Sequence, residues 1–300
     1  MAWLLVGIRA AGPFASLEPE AGSVSQPAAI QSESQASDNQ FVQFSSVNQN
    51  NPNMIRGAYG RDDSPSGLAD MAAMGFNTVN GDPYVELLDE IHSYGLKAIV
   101  WMGGYSNETC SFGRDDNRIR ELMEPIVGHP ATLVYHLADE PNQRDCPNAP
   151  DQFLARSNLI KSLDPGVPTY LTLMTWDGAE EYPFQYFAHV ADIIGLIEYP
   201  CNKVRGCSFN SIDEVIAEAD IDGIQRYWAV VQAFGDEVDD PDNPSYYELP
   251  TMPQMYEQMD HWRNSRMEGY MFYTLGDQWV LRDLSEYSVS EIRGLVDYSP

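Results

Sequence analysis

Residues 129–142 read HPATLVYHLADEPN, an apolar run that ends in two carboxylates and a proline. The apolar middle of this stretch is typical of a buried strand. Pro141 ends it, because proline has no amide hydrogen for strand pairing. A carboxylate at the mouth of a buried strand is costly to ionise, so chains place one there mostly when they need an acid or base with a tuned pKa. Asp139 and Glu140 are therefore candidate site residues, with helix capping or an ion pair as the alternative.

Further apolar runs of the same kind alternate with helical patterns along the chain. The eight strand candidates are 55–59, 76–79, 96–102, 133–138, 169–174, 193–199, 227–234 and 270–275. Most are continuous apolar runs, as expected of parallel strands that are buried on both faces. Eight strand–helix repeats in about 250 residues predict an α/β fold of the (β/α)8 TIM barrel class. The alternative, an open doubly wound sheet, is disfavoured because no Gly-x-Gly-x-x-Gly loop follows the first strand.

Composition divides the chain near residue 50. Residues 2–8 are apolar like the core of a secretory signal but lack a basic start, and residues 14–53 are rich in Ser, Gln, Asn, Ala and Glu. We therefore expect a signal-like, disordered leader in 1–50 and a single catalytic barrel domain in 51–300. No apolar run approaches the ~20 residues of a membrane helix, so no membrane association is expected.

The charge balance excludes several classes of partner. The formal net charge is -28, from 45 acidic and 17 basic residues. Nucleic-acid binding needs a basic face and is excluded, and a strongly anionic substrate is disfavoured by long-range repulsion. Such dispersed acidity is typical of a protein from a high-salt environment, and equally of an ordinary acidic secreted protein.

Cysteine spacing bears on the compartment and on metal binding. Cys110, Cys146, Cys201 and Cys207 contain no C-x2-C pair, and no H-E-x-x-H or H-x-H motif occurs. We therefore expect no metal and no cofactor. The even count fits two disulfides in an oxidising, extracellular compartment, with Cys201 bonded to Cys207 and Cys110 to Cys146. Four free thiols are the alternative.

The barrel hypothesis predicts which residues gather at one site, because catalytic groups of this fold lie at the carboxyl ends of the strands. Carboxylates and indole rings are frequent at those positions, and flat aromatic rings stack on sugars while carboxylates and amides bind hydroxyls. The pattern favours a carbohydrate-binding cleft. The substrate-binding candidates are Arg61, Asp82, Trp101, Asp139, Trp176, Tyr199, Gln232, Asp277 and Trp279.

Four segments resemble a known superfamily. The run from Tyr135 to Asn142, with Asp-Glu-Pro at its end, is similar to the acid/base strand of the retaining (β/α)8 glycoside hydrolases. Residues 75–79 and 95–100 resemble the second and third strands of these enzymes, and residues 192–200 the sixth. The resemblance covers roughly 55–277 and identifies no family within the superfamily. It implies that Glu140 is the general acid/base.

One position departs from the superfamily pattern. The nucleophile of these enzymes is a Glu at the end of strand seven, where this sequence has Gln232. We expect Glu198, at the end of strand six, to be the partner of Glu140, unless it pairs with a nearby Lys or Arg. Gln232 is then expected to bind a sugar hydroxyl. The alternative partners are Asp236, Glu237 and Asp277.

Two functions follow from these residues. The first is a glycosidase that cleaves a neutral poly- or oligosaccharide by carboxylate acid/base catalysis. The second is a non-catalytic carbohydrate-binding barrel that has lost the strand-seven nucleophile. The sugar, the linkage, retention or inversion and the oligomeric state do not follow from the sequence.

Overall fold

The computed structural model describes residues 28–32, 40–44, 54–60, 64–174, 184–237, 246–276 and 280–298, with 28–32, 40–44 and 236–237 described as backbone only. The chain divides into two units between Asn51 and Pro52. In the first unit Ala28–Ser32 pairs antiparallel with Gln40–Phe44. The rest of the predicted leader lies outside the described residues.

The second unit is a closed parallel barrel, which confirms the predicted (β/α)8 fold. Its strands are β1 (Ile55–Ala58), β2 (Thr78–Gly81), β3 (Lys97–Trp101), β4 (Thr132–Asp139), β5 (Thr169–Met174), β6 (Ile193–Glu198), β7 (Tyr227–Gln232) and β8 (Gly269–Tyr273). Each strand pairs with its neighbour in sequence, and β8 pairs with β1 to close the ring. The open-sheet alternative is thereby excluded.

Helices follow the strands and cover the outside of the barrel. They are α1 (Pro65–Ala73), α2 (Val85–Ser93), α3 (Asp116–Met123), α4 (Ala149–Leu163), α5 (Phe184–Phe187), α6 (Asn210–Ile221), α7 (Met252–Arg263) and α8 (Val289–Tyr298). Within the described residues, no helix is long and apolar enough to cross a membrane.

Two apolar cores flank the ring of strands. The larger one lies between the strands and the helices and includes Trp262, Phe153 and Phe272, all fully buried. The smaller one fills the barrel interior with one side chain from each of six strands: Ile99, Val134, Tyr170, Ile193, Trp228 and Met271. This layer of packed side chains closes the barrel interior on one side, so a ligand can enter only from the other side.

Two short hairpins and one further two-stranded sheet extend the strand ends. The hairpins pair Tyr105–Ser106 with Ser111–Phe112 and Cys201–Asn202 with Gly206–Cys207, and the sheet pairs Phe234–Glu237 with Val280–Asp283 across α7 and β8. Two disulfides lie among them, Cys110–Cys146 and Cys201–Cys207, and both predicted pairings are confirmed.

Candidate active site

A cavity of about 500 Å³ opens at the carboxyl ends of the barrel strands. All eight strands, or the residues that directly follow them, contribute to its walls, and Tyr247 from the loop after β7 completes them. The lining residues are Tyr59, Asn80, Gly81, Asp82, Ile99, Trp101, His136, Asp139, Glu140, Thr172, Met174, Ile197, Tyr199, Val230, Tyr247 and Tyr273. This volume suits a small ligand or one or two sugar rings.

Three carboxylates line this cavity in the described part of the chain: Asp82 after β2, and Asp139 and Glu140 at the end of β4. Glu140 has a backbone φ of +43°, in the left-handed region that non-glycine residues seldom adopt. Its N–H still donates to the Thr172 carbonyl of β5 at 3.2 Å. The strand thus turns sharply at its last carboxylate.

Asp139 is open to the cavity but otherwise enclosed by the barrel wall. Burial raises the pKa of its carboxyl, and a hydrogen bond from the Thr172 hydroxyl partly opposes the rise. The same hydroxyl lies 3.2 Å from His136 Nε2. Burial lowers the pKa of His136 to about 3, so this ring is neutral at ordinary pH. Thr172 thus links the Asp139 carboxyl group to a neutral imidazole ring in the wall of the cavity.

Aromatic side chains form much of the remaining wall. Tyr199 and Tyr273 are nearly parallel, with ring centroids 6.0 Å apart and an interplanar angle of 22°. Tyr247 meets Tyr199 edge-on at 87°. Burial, and then the nearby Glu140 carboxylate, raises the pKa of the Tyr199 phenol well above its usual value, so it stays a neutral hydrogen-bond donor. Flat rings with neutral hydroxyls suit the faces and edges of a sugar.

Five of the predicted site residues line the cavity together: Asp82, Trp101, Asp139, Glu140 and Tyr199. Trp101 also contacts the His136 ring edge-on, with centroids 4.8 Å apart. Arg61, Trp176, Asp277 and Trp279 lie outside the described residues.

Glu198, expected as the catalytic partner, is placed differently. Its neighbours Ile197 and Tyr199 both line the cavity, whereas Glu198 is absent from the lining that the described residues form. Since successive side chains of a strand point to opposite faces, Glu198 falls on the face turned away from the barrel axis.

Gln232, expected to bind a hydroxyl, is fully buried and engaged with backbone groups. Its Oε1 accepts from the Cys201 N–H at 2.8 Å. Its Nε2 donates to the carbonyls of Cys201 and Glu248 at 2.9 and 3.1 Å, and to that of Phe234 at 3.3 Å. The side chain thus pins the loops that follow β6 and β7 and is absent from the described cavity wall.

Sequence reasoning missed several lining residues as substrate contacts. His136 lies three residues before Asp139, so regular alternation would put the two on opposite faces of β4; an irregularity in the pairing of β4 with β5 between them brings both to the cavity. Tyr247 lies beyond every predicted strand, so no periodic pattern marked it. Tyr59 ends the first apolar run, so the strand-end rule used for Trp101 also selects it. Tyr273 ends β8 in the structure but lies inside the predicted run 270–275, so the rule does not select it.

The described residues contain no group of three or more His, Cys, Asp or Glu side chains arranged to hold a metal ion. The chemistry that the cavity offers comes from carboxylates, phenols and an indole. A carboxyl group in such surroundings can donate a proton, and a second carboxylate can act as nucleophile or base.

Comparison with known proteins adds structural likeness only. No family model and no curated protein matches the chain. A β-glucuronidase from Faecalibacterium prausnitzii is similar over 91% of this chain and 52% of its own, with a TM-score of 0.59 and 15% identity. A β-galactosidase from the psychrophilic Marinomonas ef1 is similar over 81% and 58%, with a TM-score of 0.58 and 11% identity.

A glycosyl hydrolase family 2 member from Bacteroides cellulosilyticus is similar over 82% of this chain and 30% of its own, with a TM-score of 0.51 and 12% identity. The chain therefore spans between 30% and 58% of the length of these three structures. At these identities the likeness supports the barrel fold and leaves the chemistry to be argued from the site.

Proposed function

We propose that this protein is a glycoside hydrolase that cleaves a neutral poly- or oligosaccharide, with Glu140 as the proton donor to the glycosidic oxygen. The observation that carries the proposal is the position of Glu140 at the end of β4, on a sugar-sized cavity lined by Trp101 and tyrosines. The structurally similar proteins named above are glycosidases, which supports the same reaction class.

The second carboxylate must lie across the sugar from the proton donor. Among the described lining residues, we propose Asp82 for this role, because β2 is separated from β4 by one strand around the ring. Asp139 suits it less, since its carboxylate already accepts from Thr172 and directly precedes Glu140. Asp236, Glu237 and Asp277 remain alternative partners.

The proposed substrate carries no negative charge. Three carboxylates line the described cavity wall and no lysine or arginine does, so a uronic acid would meet repulsion there. Neutral hexose units would find hydrogen-bond acceptors in the carboxylates and stacking surfaces in the rings. The two disulfides support an extracellular location.

Turnover on a panel of neutral glycans, read as release of reducing ends, tests the proposal. Glu140→Gln keeps the shape of the side chain but removes the proton donor, and we expect activity to fall by roughly 10²-fold or more. Proton NMR of the first product anomer then distinguishes retention from inversion. No turnover by the wild-type protein on any glycan would contradict the proposal.

The same assay assigns the partner. Asp82→Asn should lose activity like Glu140→Gln, whereas Glu198→Gln should retain it because Glu198 lies on the other strand face. Loss of activity in Glu198→Gln with Asp82→Asn unaffected would instead return the role to Glu198. Glycosyl azide formed by an alanine variant in the presence of azide would identify the nucleophile directly.

A non-catalytic carbohydrate-binding barrel is the second candidate, and Gln232 favours it. An amide stands at the end of β7, where the resembled superfamily has its nucleophile, and it is fully engaged by backbone groups. Calorimetric binding of a glycan without turnover, equal in wild-type and Glu140→Gln proteins, would support this reading.

A further inference from the structure

One side chain from a neighbouring hairpin holds the loop that carries Glu140. Asn107 occupies the turn of the hairpin that pairs Tyr105–Ser106 with Ser111–Phe112. Its Nδ2 donates to the Glu140 carbonyl at 3.0 Å, and its Oδ1 accepts from the Asn142 N–H at 2.8 Å. A single amide thus bridges two peptide groups of the Glu140 loop.

Glu140 needs such a holder because its backbone conformation is unfavourable. A φ of +43° places it in the left-handed region, and a proline follows it. A following proline ordinarily drives the preceding residue towards extended conformations. Conformations of this kind persist only where the surroundings fix them, and they concentrate at functional sites. The hydrogen bonds of the Glu140 peptide groups to Thr172 and Asn107 are those surroundings.

The hairpin is itself anchored, so Asn107 has a fixed position. The Tyr105 hydroxyl donates to Gln152 Oε1 of α4 at 2.7 Å, and Gln152 Nε2 donates to the Cys110 carbonyl at 3.1 Å. A disulfide joins Cys110 to Cys146, on the chain that follows β4. Cys110 is the other non-glycine residue with a positive φ in the described chain, at 51°. The two residues with a positive φ, Glu140 and Cys110, therefore lie in segments that are joined by the Asn107 hydrogen bonds and by the disulfide.

We propose that Asn107 is a positioning residue that holds Glu140 in its left-handed conformation and aims the carboxyl group into the cavity. Its effect on catalysis rests on the proposed function, whereas its effect on the backbone of Glu140 does not. Asn107 itself is absent from the described cavity wall, so it acts through Glu140 rather than on the substrate.

The catalytic part is tested with Asn107→Ala, which removes both hydrogen bonds, and Asn107→Asp, which keeps the acceptor for Asn142 but loses the donor to Glu140. We expect kcat to fall roughly tenfold or more in both, with KM changed by less than about threefold. The alkaline limb of the kcat profile, which reports the proton donor, should also move. Thr109→Ala is the matched control, because Thr109 is exposed in the same turn and, among the described residues, its hydrogen bonds stay within the hairpin.

The conformational part is tested by crystal structures of wild-type and Asn107→Ala proteins. We expect φ of Glu140 to move from positive to negative values in the variant. A φ that stays positive, or a kcat within about twofold of wild type with an unmoved alkaline limb, would overturn the inference. If the wild-type protein turns over no glycan, the proposed function fails, and the crystallographic comparison still decides the role of Asn107. Asn107→Asp serves the same comparison if the alanine variant does not fold.

Discussion

His136 is a titratable side chain buried in the barrel, and its protonation makes the stability of the fold depend on pH. Its ring is buried beside Trp101 and Tyr170, and its Nε2 lies 3.2 Å from the Thr172 hydroxyl. Protonation would place a positive charge where little water can reach it, which is why burial lowers its pKa from 6.5 to about 3. The unfolded chain has no such restriction.

We therefore predict that His136 destabilises the protein in acid. Between about pH 6 and 3 the unfolded state binds a proton at this residue and the folded state does not, so the free energy of unfolding falls by roughly 1.4 kcal/mol per pH unit. Above the unfolded-state pKa of 6.5, neither state binds this proton, and His136 no longer makes the free energy of unfolding depend on pH. Urea unfolding at about pH 7, 5 and 4 measures the slope.

The carboxylates also titrate in acid, so the comparison is with His136→Gln, which cannot take up this proton. The variant should show a shallower fall in unfolding free energy over the same range. Identical slopes in the two proteins would contradict the prediction.

At the scale of elements, the two disulfides close loops of very different length. Cys110 and Cys146 are 36 residues apart, and Cys201 and Cys207 are 6 apart. The first joins a hairpin to the chain after β4, and the second closes a single hairpin. A cross-link restricts the unfolded chain more when the loop is longer.

We predict that removing the longer link costs more stability. Chain entropy gives about 4 kcal/mol for Cys110→Ser with Cys146→Ser, and about 2 kcal/mol for Cys201→Ser with Cys207→Ser. Urea unfolding of the two double variants under identical conditions measures the difference. Equal losses, or a larger loss for the short link, would show that residual structure rather than loop length governs the effect.

The barrel strands were predictable because most of them are continuous apolar runs, and all eight predicted runs overlap a strand of the structure. Helix starts were less certain. The Ser-x-x-Glu spacing of a capping box occurs at Ser211 with Glu214 and at Ser288 with Glu291. The second pair forms reciprocal hydrogen bonds, but α6 begins at Asn210, before Ser211. The Ser211 hydroxyl instead donates to the Ser208 carbonyl. Local signals mark a helix but do not choose between competing caps.

The site was harder to predict than the fold, and Glu198 shows why. Its position at a strand end was right, but a strand end alone does not tell which face a side chain takes. Two other residues of β6 show which face points inward. A side chain at Gly195 would collide with Tyr170 in the barrel interior, and Ile197 lines the cavity. Inward positions on β6 are therefore odd-numbered, which selects Tyr199. Tyr247 had no such signal, since tertiary contacts alone bring it to the cavity.

At the scale of the whole molecule, charge dominates. A net charge of -28 repels itself in the compact state more than in the extended chain. The described ion pairs mostly join exposed side chains, such as Arg226 with Glu268, and pairs of this kind contribute little stability. The main electrostatic effect of added salt should therefore be to screen repulsion.

We predict that the melting temperature rises with salt. Sodium chloride shortens the range of repulsion from about 10 Å at 0.1 M to about 3 Å at 1 M. Differential scanning calorimetry between these concentrations measures the change, and sodium sulfate at equal ionic strength separates screening from surface exclusion. A melting temperature that falls with sodium chloride would show that attractive ion pairs outweigh the repulsion.

The hydrogen bonds of Gln232 have a consequence for anyone who wishes to engineer this barrel. Its amide nitrogen points at the carbonyl oxygens of Cys201, Phe234 and Glu248. A glutamate there would set an anionic oxygen against those carbonyls in a fully enclosed place. A single Gln232→Glu substitution would therefore not place a tolerated carboxylate at the end of β7, and a designer would have to rebuild the loops after β6 and β7 first.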